Sequence, residues 1–146
     1  MNQNIPSFEV IEGGGVTSAS GFEAAGVTCG LKRSGKADLA LLYSRTDCNA
    51  AGTFTSNLFP AAPVVLCKAR IAGPVGIRAV VVNSGVANAC TGELGMENAR
   101  AVAKLAAEAL GVGELQALSC STGRIGVQLP MDKIAAGIKA DRKSVV

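Results

Sequence analysis

The run Ala79-Val80-Val81-Val82 constrains the fold more than any other stretch of this chain. Consecutive β-branched residues favour extended backbone. The run passes into Asn83-Ser84-Gly85, read as a loop, and then towards an Ala-rich segment, Met96–Leu110, without Gly or Pro. In that segment Val102, Leu105, Ala106, Ala109 and Leu110 recur at helical spacing, with Glu97, Arg100, Lys104 and Glu108 opposite. Gly111 stands where a helix ends. Leu115–Cys120 then predicts a strand that delivers Ser121-Thr122-Gly123 at its end. Strand, helix and strand in this order predict an α/β layered domain.

The flanking segments fill in the layers. Phe22–Leu31 predicts a short strand, Lys32–Lys36 a turn about Gly35, and Asp38–Tyr43 a strand buried on both faces. Thr46–Ala51 reads as a loop. Gly52–Asn57 alternates with period two and predicts a further strand. Pro63 precedes a predicted strand at Val64–Cys67, and Gly73-Pro74 punctuates the turn that follows. Met131–Ile138 predicts a helix with Pro130 near its first turn. The domain is expected over residues 13–140, between a flexible start at 1–12 and a tail at 141–146. The strand-rich first half argues against a simple doubly wound sheet. Neither a dinucleotide-binding glycine pattern in its strand–helix context nor a Walker A loop is present.

Composition narrows the chemistry. Aromatics make up 3% of the residues and Trp is absent, so the core must come from Ala, Val, Leu and Ile. No His is present, which excludes a His-based triad and His metal ligands. The five cysteines lack Cys-x-x-Cys spacing and read as reduced, mostly buried small residues of a cytoplasmic protein, with no metal site. Net charge is +3, from 14 Lys plus Arg against 11 Asp plus Glu. These charges are scattered, and the pairs Lys32-Arg33 and Arg142-Lys143 read as solvated surface, so no nucleic-acid partner is expected. No run reaches the roughly 18 apolar residues of a bilayer span, nor does Met1–Val10 resemble a signal peptide, so no membrane partner is expected either.

Loops at strand ends are the candidate sites. From Asn83 to Glu93, the side chains of Asn83, Ser84, Asn88 and Thr91 suit either ordinary turn and cap chemistry or a substrate-lining loop. In Ser121-Thr122-Gly123-Arg124-Ile125-Gly126, a Thr hydroxyl next to a Gly N–H can stabilise a developing oxyanion. A polar turn that needs Gly is the other reading. Cys90 and Cys120 read as packing residues, and Thr17, Lys32 and Arg33 as generic polar positions.

Several ordered motifs together resemble one family. Gly15-Val16-Thr17, Gly21-Phe22, Ala25-Gly26-Val27 and Asp38-Leu39-Ala40-Leu41 are similar to the opening of the ornithine acetyltransferases, the bifunctional glutamate N-acetyltransferases of arginine biosynthesis. Thr53-Phe54-Thr55-Ser56-Asn57 and Ala61-Ala62-Pro63-Val64 continue the resemblance. Val82-Asn83-Ser84-Gly85 and Asn88-Ala89-Cys90-Thr91-Gly92 are its most specific part. Ser121-Thr122-Gly123, Ile125-Gly126 and Leu129-Pro130-Met131 complete it, over roughly Gly13 to Ile138.

The resemblance implies an α/β sandwich like that of N-terminal nucleophile hydrolases, here as a partial, α-chain unit. It implies a precursor that cleaves itself before a threonine. That threonine then heads a β chain and carries an acetyl group from N-acetylornithine to glutamate. No bound cofactor is implied, although some members use acetyl-CoA as donor. The α and β chains stay together in larger oligomers. By motif position Thr122 and Gly123 supply the oxyanion hole, and Asn83, Ser84, Asn88, Thr91 and Arg124 are substrate-loop candidates. The nucleophile is expected outside this chain, which is then inactive alone. Arg124 departs from the family's usual small apolar residue, and Val86 from its usual Asn. Two other readings are carried: a non-catalytic structural or interaction protein, and an amide hydrolase subunit in which water replaces the accepting amine.

Overall fold

The valine run becomes the middle of the longest-paired strand of the sheet. The computed structural model describes residues 9–145, with side chains described to residue 142. Strands β1 (Phe22–Val27), β2 (Leu39–Cys48), β3 (Ile77–Val86) and β4 (Ala117–Arg124) form one sheet in the order β1-β2-β3-β4. The β1–β2 and β2–β3 pairs are antiparallel, whereas β3 and β4 run parallel. Helix α2 (Gly92–Leu110) makes the crossover that a parallel pair requires. The sheet is therefore mixed, and not the simple doubly wound arrangement that the sequence argued against.

One face of the sheet carries the main core. Leu39 and Leu41 of β2 and Ala79 and Val81 of β3 alternate onto this face. They meet α2 and helix α3 (Met131–Val145). The α2 contact is made largely of Ala99, Val102, Ala103, Ala106 and Ala107, all nearly inaccessible. Small side chains let the helix lie close to the strands, which is how a core without bulky aromatics closes. Leu105 and Ala109 lie at the edge of this stripe, packed against the core but only partly buried. Gly111 ends α2 in the left-handed conformation, with φ of 67°.

The largest departure from expectation is helix α1 (Ala62–Ile71), which occupies the segment read as a strand at Val64–Cys67. Pro63 sits in the first helical turn, where it needs no N–H partner. The buried side of α1 is Pro63, Leu66, Cys67 and Arg70, and a buried Arg obscures its apolar period. This helix caps β4, the edge strand. The Cys67 thiol donates to the Ser119 carbonyl at 3.3 Å, and the Arg70 guanidinium donates to the Ala117 carbonyl. These bonds occupy an edge that would otherwise be open to another chain.

Gly52–Asn57 alternates but forms no strand, because no neighbouring strand pairs with it. Asn83-Ser84-Gly85 is not a loop: β4 pairs with it residue by residue and keeps β3 extended to Val86. The presumed tail is the end of α3, which runs on to Val145. Its inward stripe, Ile134, Ile138 and Asp141, ends on a buried carboxyl that hides the helical period. Of the flexible start at 1–12, residues 1–8 lie outside the described residues, as does Val146 of the tail.

Candidate functional site

The carboxyl ends of the parallel strands β3 and β4 bring the sequence motifs together. Ser84 lies beside Thr122, Gly85 beside Gly123 and Val86 beside Arg124. The ends of parallel strands are where α/β sheets commonly bind ligands. Two backbone bonds stitch the loops beyond: Ala87 N–H donates to the Arg124 carbonyl, and Gly126 N–H to the Ala89 carbonyl, both at 2.9 Å.

The candidate residues divide into two groups. Asn83, Asn88 and Thr91 hold the scaffold. Asn83 is buried, donates from Nδ2 to the Val86 carbonyl at 2.8 Å, and accepts the Ser121 hydroxyl at 2.6 Å. Asn88 is equally buried; it donates to the Gly95 carbonyl at 2.7 Å and accepts the Thr91 hydroxyl at 2.6 Å. The Thr91 hydroxyl therefore serves Asn88 rather than capping α2. Gln128 joins the cluster by donating to the Thr91 carbonyl at 2.9 Å. Between these residues Cys90 takes φ of 55°, the left-handed backbone that a non-Gly residue adopts only when its surroundings hold it there.

Thr122, Gly123 and Arg124 form the exposed group, with Ser84 half-buried beside them. Gly123 has φ of 132° and lies against β3 with no room for a side chain. Its N–H is fixed by backbone packing rather than by a mobile loop. Arg124 lines an open cavity of about 460 Å³ with Leu31, Lys32, Arg33, Ser34 and Gly85. Three cationic side chains thus border one side of the Gly85–Gly123 contact.

The wall of that cavity depends on Asp38, which sequence reading took only as the start of a strand. Its buried carboxylate accepts backbone N–H bonds from Cys29 at 2.7 Å, Leu31 at 2.6 Å and Lys32 at 2.9 Å. Burial opposes its charge, but these donors outweigh burial and hold its pKa below the ordinary carboxylate value. Asp38 thereby fixes the turn that presents Lys32 and Arg33. A buried Asp opening an apolar strand was the available signal, since such a charge needs donors close by. Among the described residues, no group of three or more His, Cys, Asp or Glu is placed to hold a metal ion.

The cysteines differ from expectation in their burial. All five are free, but only Cys67 is buried; Cys29 and Cys48 are half-buried, and Cys90 and Cys120 are exposed. The last two occupy the loop and strand end of the site, where polar neighbours keep the surface open.

A mixed sheet with α2 bridging its parallel strands, and glycines pressed together at the strand ends, defines an α/β class that known proteins share. The sequence signature of the ArgJ family matches residues 23–145, and the chain belongs to that family, as an α-chain-like region. It is 55% identical over 130 residues to the arginine biosynthesis bifunctional protein ArgJ of Symbiobacterium thermophilum, a match over 87% of this chain and 32% of the relative. Against the ArgJ protein of Thermotoga neapolitana it is 51% identical over 127 residues, covering 86% and 32%. The chain thus spans about a third of the length of these curated relatives. Two crystal structures match the fold. ArgJ from Bacillus halodurans has a TM-score of 0.85 at 37% identity, over 92% of this chain and 73% of that one. The ornithine acetyltransferase of Mycobacterium tuberculosis, complexed with ornithine, has a TM-score of 0.86 at 43% identity, over 90% and 71%.

Proposed function

We propose that this chain is the α-chain portion of a cytoplasmic acetyltransferase of arginine biosynthesis that moves an acetyl group from N-acetylornithine to glutamate. Thr122 and Gly123 are its oxyanion hole, and a threonine at the head of a β chain is its nucleophile. The complete fold is then a sandwich of the N-terminal nucleophile type, assembled as αβ units within a larger oligomer. The observation that carries this reading is the pairing of exposed Thr122 with a Gly123 backbone immobilised against Gly85. Family membership supplies the reaction class.

The chemistry follows from that placement. The β-chain threonine hydroxyl attacks the acetyl carbonyl of N-acetylornithine while its own α-amine takes the proton. The carbonyl oxygen becomes an oxyanion, which the Thr122 hydroxyl and Gly123 N–H stabilise by donating hydrogen bonds. The intermediate collapses with the proton passed to ornithine, which leaves as the amine. Glutamate's amine then attacks the acyl-threonine, and the same two donors hold the second oxyanion. Fixed donors suit this task because they need no rearrangement as charge develops. Asn83, through Ser121, and Asn88, through Thr91, keep the strand ends in register. Ser84 and Arg124 border the substrate. Acetyl-CoA enters only as an alternative donor.

The test is co-expression with a family β chain, measuring ornithine release from N-acetylornithine in the presence of glutamate. Thr122→Ala should lower kcat by about 10²–10³-fold, and Thr122→Ser should retain most of the activity. Unchanged turnover in Thr122→Ala would remove the assigned role. No turnover with any β chain would favour a structural or interaction protein. Acetate release without glutamate would indicate an amide hydrolase.

A further inference from the structure

Two cysteines far apart in the chain meet where α1 closes the edge of β4. Cys67 lies on the buried side of α1 and donates to the Ser119 carbonyl at 3.3 Å. Cys120 follows Ser119 and stands on the same face of β4 as Leu118, against which Cys67 packs, so its thiol neighbours the Cys67 sulfur. Cys67 is buried and Cys120 exposed, so Cys120 is the one a solvent-borne reagent reaches, although its sulfur is itself partly covered. The docking is firm: Arg70, one helical turn on, bonds to the Ala117 carbonyl, and Cys67, Leu118, Ile71 and Val80 pack together beside it. The helix–strand packing therefore holds the thiols together.

We propose that Cys67 and Cys120 are a redox pair that closes reversibly into a disulfide between α1 and β4, one residue before Ser121-Thr122-Gly123. The environment favours exchange. The hydrogen bond from Cys120 pulls the Cys67 thiol down from its ordinary pKa, the Arg70 charge adds to this, and burial works against it. The same bond, with burial, pushes Cys120 up. The pair releases its first proton more readily than an isolated thiol and retains its second more strongly. Cys29 is the contrast: burial, with Asp38 beside it, pushes its thiol up to about 11, which makes it a poor nucleophile at neutral pH.

The electrons balance with a small disulfide as oxidant, oxidised glutathione being the probe. The pair's one remaining proton passes to Cys67 across the contact between the two sulfurs, and Cys120, as the accessible thiolate, attacks one glutathione sulfur, forms a mixed disulfide and releases one glutathione thiolate. Cys67 thiolate attacks the Cys120 sulfur and releases the second. The two protein thiols lose two electrons and two protons, and one oxidised glutathione becomes two reduced molecules.

The experiment is intact-mass and peptide mapping of the full chain across a glutathione redox series, with alkylation of remaining thiols. The expected result is a loss of two hydrogens, a cross-linked peptide joining Cys67 to Cys120, loss of alkylation at both, and reversal by dithiothreitol. Cys67→Ser should instead leave a lasting glutathione adduct on Cys120. A lasting adduct on Cys120 in the unaltered chain, or a bridge through Cys29, Cys48 or Cys90, would overturn the proposal. The unaltered chain decides the matter by itself, so a poorly folding variant does not obscure it.

Discussion

Gly123 of β4 lies so close to Gly85 of β3 that a Cβ on Gly123 would stand 2.3 Å from the Gly85 carbonyl carbon. Backbone on both sides leaves no flexible atom to move aside, and φ of 132° is itself unfavourable for a side chain. Gly123→Ala should therefore lower stability by about 2–4 kcal/mol, from strain and overpacking together. Gly126→Ala is the control. It shares a positive φ, of 77°, but a Cβ there meets nothing within 4 Å. It should cost about 1–2 kcal/mol. Urea midpoints of the two variants against the parent measure the difference.

Asp38 makes the acid side of the stability profile predictable. Its folded-state pKa is depressed, so its contribution is fully present above the unfolded value and fades as pH falls through the folded one. Stability should drop as pH falls below about 4, where an unfolded-chain Asp takes up its proton. Asp38→Asn keeps the shape but removes the charge that three N–H groups share, and should cost about 2–4 kcal/mol at neutral pH. Denaturation from pH 7 downward should show the parent losing this advantage while Asp38→Asn changes less. Parallel curves would mean that Asp38 does not carry the slope.

The elements most legible in the sequence were those whose local preference and tertiary role agree. β3 and α2 are of this kind: valines in a buried strand, alanines on a close-packed helix. α1 was hidden because Val64 and Val65 favour strand locally, and its inward face includes Arg70, whose charge breaks the apolar pattern. Gly52–Asn57 shows the reverse case, since alternation describes a half-buried strand but does not supply a partner. At the candidate site the motifs were visible, but their division of labour was not. That Asn83 and Asn88 turn inward to brace backbone follows from pairing and burial. Lys32 and Arg33 reach Arg124 only because Asp38 folds their turn back over Gly85. No spacing in the chain encodes that approach.

Asp141 should act in the opposite sense to Asp38. Its carboxyl is inaccessible, and among the described residues neither oxygen has a hydrogen-bond partner. Burial raises its pKa, and the Leu41 backbone compensates only weakly, short of a formed hydrogen bond. The folded chain then holds a proton that the unfolded chain releases near pH 4, so stability falls as pH rises above that point. Asp141→Leu, of similar length and apolar, should stabilise the chain by about 1–3 kcal/mol at pH 7, with a smaller gain at pH 4. Thermal melts at the two pH values read both effects. A destabilised variant at pH 7 would show that this carboxyl has a partner in solution.

Arg124 offers the most direct handle on substrate choice. It borders the open cavity with Lys32 and Arg33, beside the Gly85–Gly123 contact. On the proposed reading, this cationic wall faces the carboxylates of the amino-acid acceptor. The site is open to solvent, so each charge acts through a screened interaction of about 1 kcal/mol. Arg124→Gln, assayed with a β chain, should raise KM for glutamate by about fivefold at low salt and less than twofold at high salt. The kcat should change little, because the oxyanion donors are untouched. Arg33→Gln should shift KM in the same direction and leave kcat alone. A fall in kcat at constant KM would instead place Arg124 at the reacting carbonyl, and an unchanged KM at low salt would remove the cavity from the acceptor's path.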